Sequence, residues 1–383
     1  MKITDVKTFI VHPTSQKNWL LVKVETDEGL YGWGESYTQV DRDRAIEAHI
    51  QAMKRYLVGR SPFDIKHTTT MLFTDWSGRR GAMDFYCAVS GIEQALWDIV
   101  GKAANLPVHN LLGGKFRERI RVYANAWSDG ARTPEALAEK ARAVVARGFT
   151  ALKFDPLPHP FRTFIDRERE QMAIDKVAAV REAVGPKVDI LIDTHRHMAP
   201  MHAVRLARGL EPYHPFWFEE PVLAENVSEL AEVKRQISIP VVTGEELYTK
   251  HEFREVFERR AADIINPDIC NCGGILELKE IAAMAEPYDI VVSPHNANSV
   301  TAALAASLQL CAHIPNFLIL EYFLNFVETA RLVQRHPFEV VNGYIDVPTA
   351  PGLGIDFDEE ALARVGYAEF PLRHLRTPAE EGP

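Results

Sequence analysis

The sequence is short of cysteine, of net positive charge and of long apolar runs, and each shortage removes a class of protein. Its four cysteines, Cys87, Cys270, Cys272 and Cys311, are too few to staple 383 residues, and no Cys-x-x-Cys pair offers a redox or zinc motif. Cys270 and Cys272 flank Asn271 just before Gly273-Gly274 and stand too close to chelate one ion well, so loop packing accounts for them. A formal net charge of -10 leaves no electrostatic footprint for nucleic acid or an anionic membrane. The opening Met-Lys-Ile-Thr-Asp-Val-Lys lacks the apolar core of a signal peptide and no later stretch would span a bilayer, so a cytoplasmic protein is expected. Linker-like and low-complexity segments are missing too. With 46% hydrophobic and 25% charged residues, the chain has the balance of a packed globular protein, and a small molecule is the expected ligand.

Two regions differ in pattern. From Lys2 to about Ser36, short β-rich runs (KTFIVH, WLLVKVET, LYGWGES) broken by Asp27-Glu28-Gly29 predict an antiparallel meander. Residues 44 to 105 carry helical spacing, ending in MDFYCAVSGIEQALWDIVGKAA before Pro107. Strands followed by helices predict a small α+β capping domain over residues 1–115. After Gly114 short apolar runs alternate with amphipathic helices: RVYANA, TALKFD, DILIDTH, FWFEE, PVVTGEE, DIINPD, IVVSPH and FLILEY. Eight β-then-α repeats predict an α/β fold, a parallel barrel over residues 116–327, more readily than an open sheet. The remainder, 328–383, includes GYIDVPTAPGLGIDFDEEALARV and reads as turns and short strands returning to the first domain.

Barrel active sites lie at the C-terminal ends of the strands, and here the runs end almost entirely in ionisable residues. Lys153 and Asp155 close the second run, Asp193 and His195 the third, Glu219 and Glu220 the fourth, and Glu245 and Glu246 the fifth; Asp268, His295 and Glu321 close the last three. Positions 193, 219 and 245 are spaced by 26, as are 295 and 321, so equivalent points of successive units are marked. Three carboxylates sharing one cavity repel unless a strong counter-charge joins them. An oxygen-only set, Asp193, Glu219 and Glu245, suits Mg2+ better than Zn2+. Surface salt bridges would explain one such residue; three in register after buried runs ask for a metal.

Removing a proton beside a carboxylate needs cationic stabilisation and a base poised near neutrality, which suits histidine. His295, with Asp268 one strand earlier to fix its tautomer, makes a candidate dyad. His195, two residues after Asp193, returns to the same face by strand alternation. Lys153 is read as a cation near the substrate carboxylate and Glu321 as its hydrogen-bonding neighbour, while Glu220 and Glu246 point away by alternation. An ordinary hydrogen-bonded residue at a strand end is the alternative for each histidine, and it suffices for His197, His214 and His313.

GLYGWGES, EQALWDIVGKAANLPVHNLLGG, FEEP, VVTGEE, NPDICNCGGI and GYIDVPTAPGLGI together resemble the enolase superfamily, mandelate racemase subgroup, and within it the sugar acid dehydratases of galactonate dehydratase type. The resemblance runs over nearly the whole chain. It implies a (β/α)7β barrel capped by the chain's two ends, Mg2+ on Asp193, Glu219 and Glu245, an Asp268–His295 dyad, and Glu321 at the substrate carboxylate. Racemases of this subgroup resemble one another in a Lys-x-Lys whose second lysine is a base; here Lys153-Phe154-Asp155 stands instead, while Asp193-Thr194-His195 is similar to the dehydratases' Asp-x-His. The expected reaction is removal of the α-proton of a sugar acid and loss of the β-hydroxyl, giving a 2-keto-3-deoxy acid. Epimerisation or lactone cycloisomerisation by the same histidines, and a silent metal-binding barrel, stand as alternatives. HPTSQKNW falls where the family places a loop over the substrate, making Lys17 and Trp19 candidate substrate contacts, and Asp155 at the end of the second run is another. Homo-oligomers are common in the family, so an assembly of identical copies is expected.

Overall fold

The computed structural model describes residues 1–13, 17–39, 41–157, 163–370, 372 and 374–380. Of the loop expected over the substrate, residues 14–16 lie outside this set. Strands β1 (Ile3–Val11), β2 (Trp19–Thr26) and β3 (Tyr31–Ser36) pair antiparallel in chain order. Helices α1 (Asp43–Leu57), α2 (Ile65–Met71) and α3 (Met83–Ala104) follow, then the single turn α4 (Val108–Leu112). Apolar residues at three- and four-residue spacing, Ile46, Ile50, Met53 and Leu57, bury one face of α1. They share a core with Leu20, Val22 and Val24 of β2 and Ile92, Leu96 and Ile99 of α3. The alternating glycines of Gly-Trp-Gly let α3 lie directly on β3: a Cβ on Gly32 would stand 2.0 Å from the Ala95 carbonyl oxygen, and one on Gly34 2.1 Å from that of Gly91.

Eight parallel strands then alternate with seven helices. In order they are β4 (Arg119–Asn125), α5 (Pro134–Ala146), β5 (Ala151–Phe154), α6 (Arg167–Val184), β6 (Asp189–Asp193), α7 (Pro200–Leu210), β7 (Trp217–Glu219) and α8 (Val227–Gln236). Next come β8 (Val241–Thr243), α9 (Thr249–Glu258), β9 (Ile264–Ile265), α10 (Ile275–Ala285), β10 (Val291–Val292), α11 (Ala302–His313) and β11 (Leu320–Phe323). The sheet runs β10-β9-β8-β7-β6-β5-β4-β11, and a parallel bridge between Val292 and Phe317 joins its two ends, giving the (β/α)7β barrel expected from the sequence. Tyr123, Ala151, Leu191, Trp217, Val242, Ile264 and Ile319 form an apolar plug of their own inside it. A larger core packs the outer faces of the strands against the helices.

Past α12 (Val327–Val333), strand β12 (Tyr344–Asp346) pairs antiparallel with β4. The tail holds more helix than the turns and short strands expected: Asp358 caps α13 (Glu359–Val365) by accepting the Glu360 and Ala361 N–H groups. The tail also reaches the first domain, where Lys23 pairs with Glu359 at 2.5 Å and Trp33 Nε1 donates to Asp356. Buried polar residues of α3 tie the two halves together. Glu93 accepts the backbone N–H groups of Ile275 and Leu276 at the start of α10, and Gln94 bridges Glu35 and Ile269. This locates the opening strands over the barrel rim, where the Tyr37 N–H donates to the Cys270 carbonyl. Among the described residues no helix is long and apolar enough to cross a membrane.

Candidate active site

Strand register lays the site out. Asp193 and Glu219 are direct partners on β6 and β7, so their carboxylates stand about one strand spacing apart. Lys153 pairs with Leu191, two residues before Asp193, and therefore rises from just beneath them. Its Nζ lies 2.7 Å from Glu219 Oε1, 2.8 Å from Glu321 Oε1 and 3.4 Å from Asp193 Oδ2. Glu245 follows β8 by two residues after Gly244, whose φ of 137° only glycine adopts readily. Its backbone carbonyl is held by Asn271 Nδ2. Lys153, Asp193 and Glu245 line a cavity of about 830 Å3 roofed by Lys17, Tyr37 and Thr38 of the capping domain.

Ligand oxygens of Asp193, Glu219 and Glu245 all lie within 4.8 Å of one another. Oε2 of Glu219 and Oε2 of Glu245 are buried with no hydrogen-bond partner among the described residues, an arrangement that costs free energy unless a cation takes them up. Burial holds the Glu219 carboxyl well above the ordinary carboxylate range, with Lys153 opposing and Asp193 and Glu245 adding to the rise. The residues thus fit a divalent cation: three hard oxygen donors, two of them orphaned, with Asp193 and Glu245 lining the cavity and Glu219 fully buried beside them.

Sequence reasoning overlooked a second cation. Arg196 hydrogen-bonds Glu245 Oε1 and lies 3.8 Å from Glu220 and 3.5 Å from Glu246. Burial works against the Glu245 anion, but Arg196, His295 and Lys153 outweigh it and hold the carboxyl well below the ordinary range. The signal was present as the basic residue directly after Asp193-Thr194-His195; a rim with so many carboxylates needs more than one counter-charge. Tyr37, whose ring centroid lies 6.1 Å from that of His295, was also missed, since only the docking of the capping domain brings it there.

The histidines are each tethered. His295 Nδ1 lies 2.7 Å from Asp268 Oδ2, and Asp268 Oδ1 accepts the Cys270 N–H at 2.7 Å. His295 Nε2 faces Glu245 and Glu321 at 3.4 and 3.7 Å. Burial lowers the basicity of this imidazole, yet Glu245, Glu321 and Asp268 outweigh it and push its pKa up to about 9. His195 Nδ1 lies 3.0 Å from Asp155 Oδ2, and its Nε2 3.6 Å from Asp193 Oδ2. Desolvation opposes its charge too, but Asp193 and Asp155 prevail and bring its pKa up to about 10.

Four details depart from the sequence reading. His195 does not reach the cavity by strand alternation, because β6 ends at Asp193. A left-handed turn (φ 49° at His195, 63° at Arg196), with the His195 N–H on Asp193 Oδ1, aims both side chains inward. Glu246 likewise follows the end of β8 and lines the cavity rather than pointing away, whereas Glu220 is buried behind it, accepting from Gly244 and Thr243. Glu321 is enclosed by Lys153, Asn125 and the Asn296 N–H and is not on the cavity wall. Trp19 is fully buried, edge-on to Phe326 at 5.6 Å, so it is core and no lid contact. Lys17 is at the cavity: its Nζ donates to Asn298 Oδ1 at 2.9 Å and sits 4.0 Å over the Tyr37 ring, and burial pulls its pKa down to about 8.

Residues 3–113 match the model of the mandelate racemase/muconate lactonizing enzyme N-terminal domain, and residues 136–361 that of the enolase C-terminal domain-like family. The chain belongs to the mandelate racemase/muconate lactonizing enzyme family. Among its relatives, a D-galactonate dehydratase of Variovorax paradoxus (strain S110) is 36% identical over 369 residues, covering 94% of each chain. A D-gluconate dehydratase of Thermoproteus tenax is 35% identical, covering 92% of this chain and 71% of its own. The solved mandelate racemase/muconate lactonizing enzyme from Sulfitobacter sp. superposes with a TM-score of 0.91 at 34% identity, covering 98% of this chain and 99% of its own. Members of this family share the capped barrel described above, and the rim chemistry of this one is laid out around the Asp193, Glu219 and Glu245 carboxylates.

Proposed function

We propose that this family member is a Mg2+-dependent sugar acid dehydratase of the cytoplasm, converting a 2,3-dihydroxy acid to a 2-keto-3-deoxy acid. One observation carries the reading. In the closed ring of eight strands, β6 and β10 are four places apart in either direction, so His195 and His295 face each other across the cavity. Elimination of water from adjacent carbons needs a base at one carbon and an acid at the leaving oxygen, which two opposed, separately tethered histidines supply. That several relatives are named for dehydration of D-galactonate or D-gluconate supports it further.

His295 Nε2 takes the proton from C2, and Asp268 holds the opposite ring nitrogen so that the free nitrogen faces the substrate. Mg2+ on Asp193, Glu219 and Glu245 would supply positive charge against the substrate carboxylate as C2 becomes electron-rich. Lys153, on the cavity wall beneath that triad, adds a fixed ammonium. Its own deprotonation is suppressed: burial opposes the charge, but Glu219 and Glu321 raise its pKa well above the usual lysine value. His195 gives a proton to the C3 hydroxyl as the C–O bond breaks. The resulting enol tautomerises to the keto acid.

The test is a screen of purified protein with Mg2+ against mono- and diacid sugars, reading the 2-keto-3-deoxy product as its semicarbazone absorbance. A hit names reaction and substrate together. Solvent deuterium entering C2 without any keto product would move the reading to epimerisation.

A further inference from the structure

We propose that Asp155 is a positioning residue for proton delivery: its Oδ2 holds Nδ1–H of His195, leaving Nε2 to hand its proton to the departing C3 hydroxyl. This rests on the dehydratase reading and gives Asp155 a task other than touching substrate. His195 sits on a left-handed turn after β6, with its side chain 44% exposed at the cavity, so the surrounding core does not fix its ring. Asp155 is fixed. Its side chain is only 11% exposed, and its Oδ1 already accepts the Leu157 N–H at 2.8 Å, which sets the plane of the carboxylate. The 3.0 Å contact between Asp155 Oδ2 and His195 Nδ1 therefore carries orientation from the buried group to the exposed one. The same construction holds His295 to Asp268 across the ring. Two departures noted in the sequence then become one feature. The aspartate at 155, where racemases of the subgroup carry a lysine base, is the counter-group for the histidine added on the next strand.

In the step itself C2 has already lost its proton. The electron pair left there forms the C2–C3 double bond, the C3–O bond breaks with its pair on oxygen, and the proton on Nε2 joins that oxygen to leave as water. His195 ends neutral, with Nδ1–H still on Asp155, and is reprotonated by solvent.

The diagnostic variant is Asp155→Asn. The amide oxygen can still accept from Leu157, so the local turn survives, while its NH2 now meets Nδ1 and forces the opposite tautomer. For a sugar acid that the wild type dehydrates, kcat should fall roughly a hundredfold with KM nearly unchanged. The double variant Asp155→Asn/His195→Asn should be no slower than His195→Asn alone, because the two act as one unit. A 3-deoxy-3-fluoro analogue of the same acid, which releases fluoride without needing a proton, should be consumed at nearly the wild-type rate by Asp155→Asn, as read by a fluoride electrode. Equal losses on both substrates, additive losses in the double variant, or no loss at all would each overturn the proposal. A wild type inert on every sugar acid would instead remove the dehydratase reading and the proton-delivery step with it. The imidazole 15N spectrum then still decides the pairing: an Nδ1–H on His195 that disappears in Asp155→Asn upholds the positioning role, and an unchanged spectrum rejects it.

Discussion

The two histidine walls of the cavity are built differently. On one side His295 follows β10, its side chain 7% exposed, with Asp268 pinned beside it by the Cys270 N–H and by the parallel bridge between the two residues. On the other, His195 stands half in water on a turn whose backbone is in the left-handed region. The first wall is dry and held by the barrel's own hydrogen bonding, so its geometry is set when the barrel forms. The second is an appended turn whose aim depends on side-chain contacts with Asp155 and Asp193. A group that takes a proton from carbon needs a preorganised, desolvated setting. Both rings must be reset each cycle, His295 by giving up the proton it took and His195 by regaining one, and the exposed ring of His195 can do so directly from solvent.

The sharpest break of this comparison is His295→Asn. Turnover should drop by roughly a hundredfold or more, and exchange of the C2 proton with deuterium oxide should stop, with fold and metal affinity retained. Near wild-type exchange would take His295 out of the mechanism. Next, His195→Asn should lower dehydration while C2 exchange persists, seen by running proton NMR and product assay on the same sample; loss of both would mean that the walls do not divide the labour. Glu219→Gln tests what lies between them. A neutral amide in place of an anionic ligand should weaken Mg2+ binding in calorimetry and reduce the rise in Tm that Mg2+ gives the wild type. Unchanged affinity would remove Glu219 from the ligand set.

The smallest effect is expected at the roof. Lys17→Met should raise KM and also raise Tm by a few degrees at pH 7, because it removes a buried cation. The folded-state pKa of Lys17, about 8, lies below its ordinary 10.5, so the wild type regains stability as pH climbs from about 8 toward 10.5. The advantage of the methionine variant should shrink across that window in thermal melts. A gap independent of pH would show that Lys17 is solvated.

Much of this site could be read in the chain because a barrel converts sequence period into spatial convergence. Asp193, Glu219 and Glu245 recur at the same point of successive β/α units, so any closed parallel barrel gathers them. Reading failed where regular structure stopped. The strands are shorter than their apolar runs, β8 ending at Thr243 and β9 at Ile265, and past those ends side-chain direction follows turn dihedrals instead of the two-residue alternation. Hence Glu246 was assigned to the wrong side. Trp19 was misplaced for a related reason: a residue beside a polar loop can begin a strand, and its large apolar ring is driven into the core.

By itself, then, the sequence determined the alternation of elements, the capped barrel and the identity of the acids and bases at its rim, because hydrophobic period and residue chemistry are local properties. Only the tertiary structure decided which groups became partners. Lys153 beneath the carboxylates, Arg196 on Glu245, Tyr37 and Lys17 as roof, and Asp155 behind His195 are contacts between elements distant in the chain. Such contacts depend on strand register, on the closure of the ring and on two or three left-handed dihedrals, none of which a single strand or helix specifies alone.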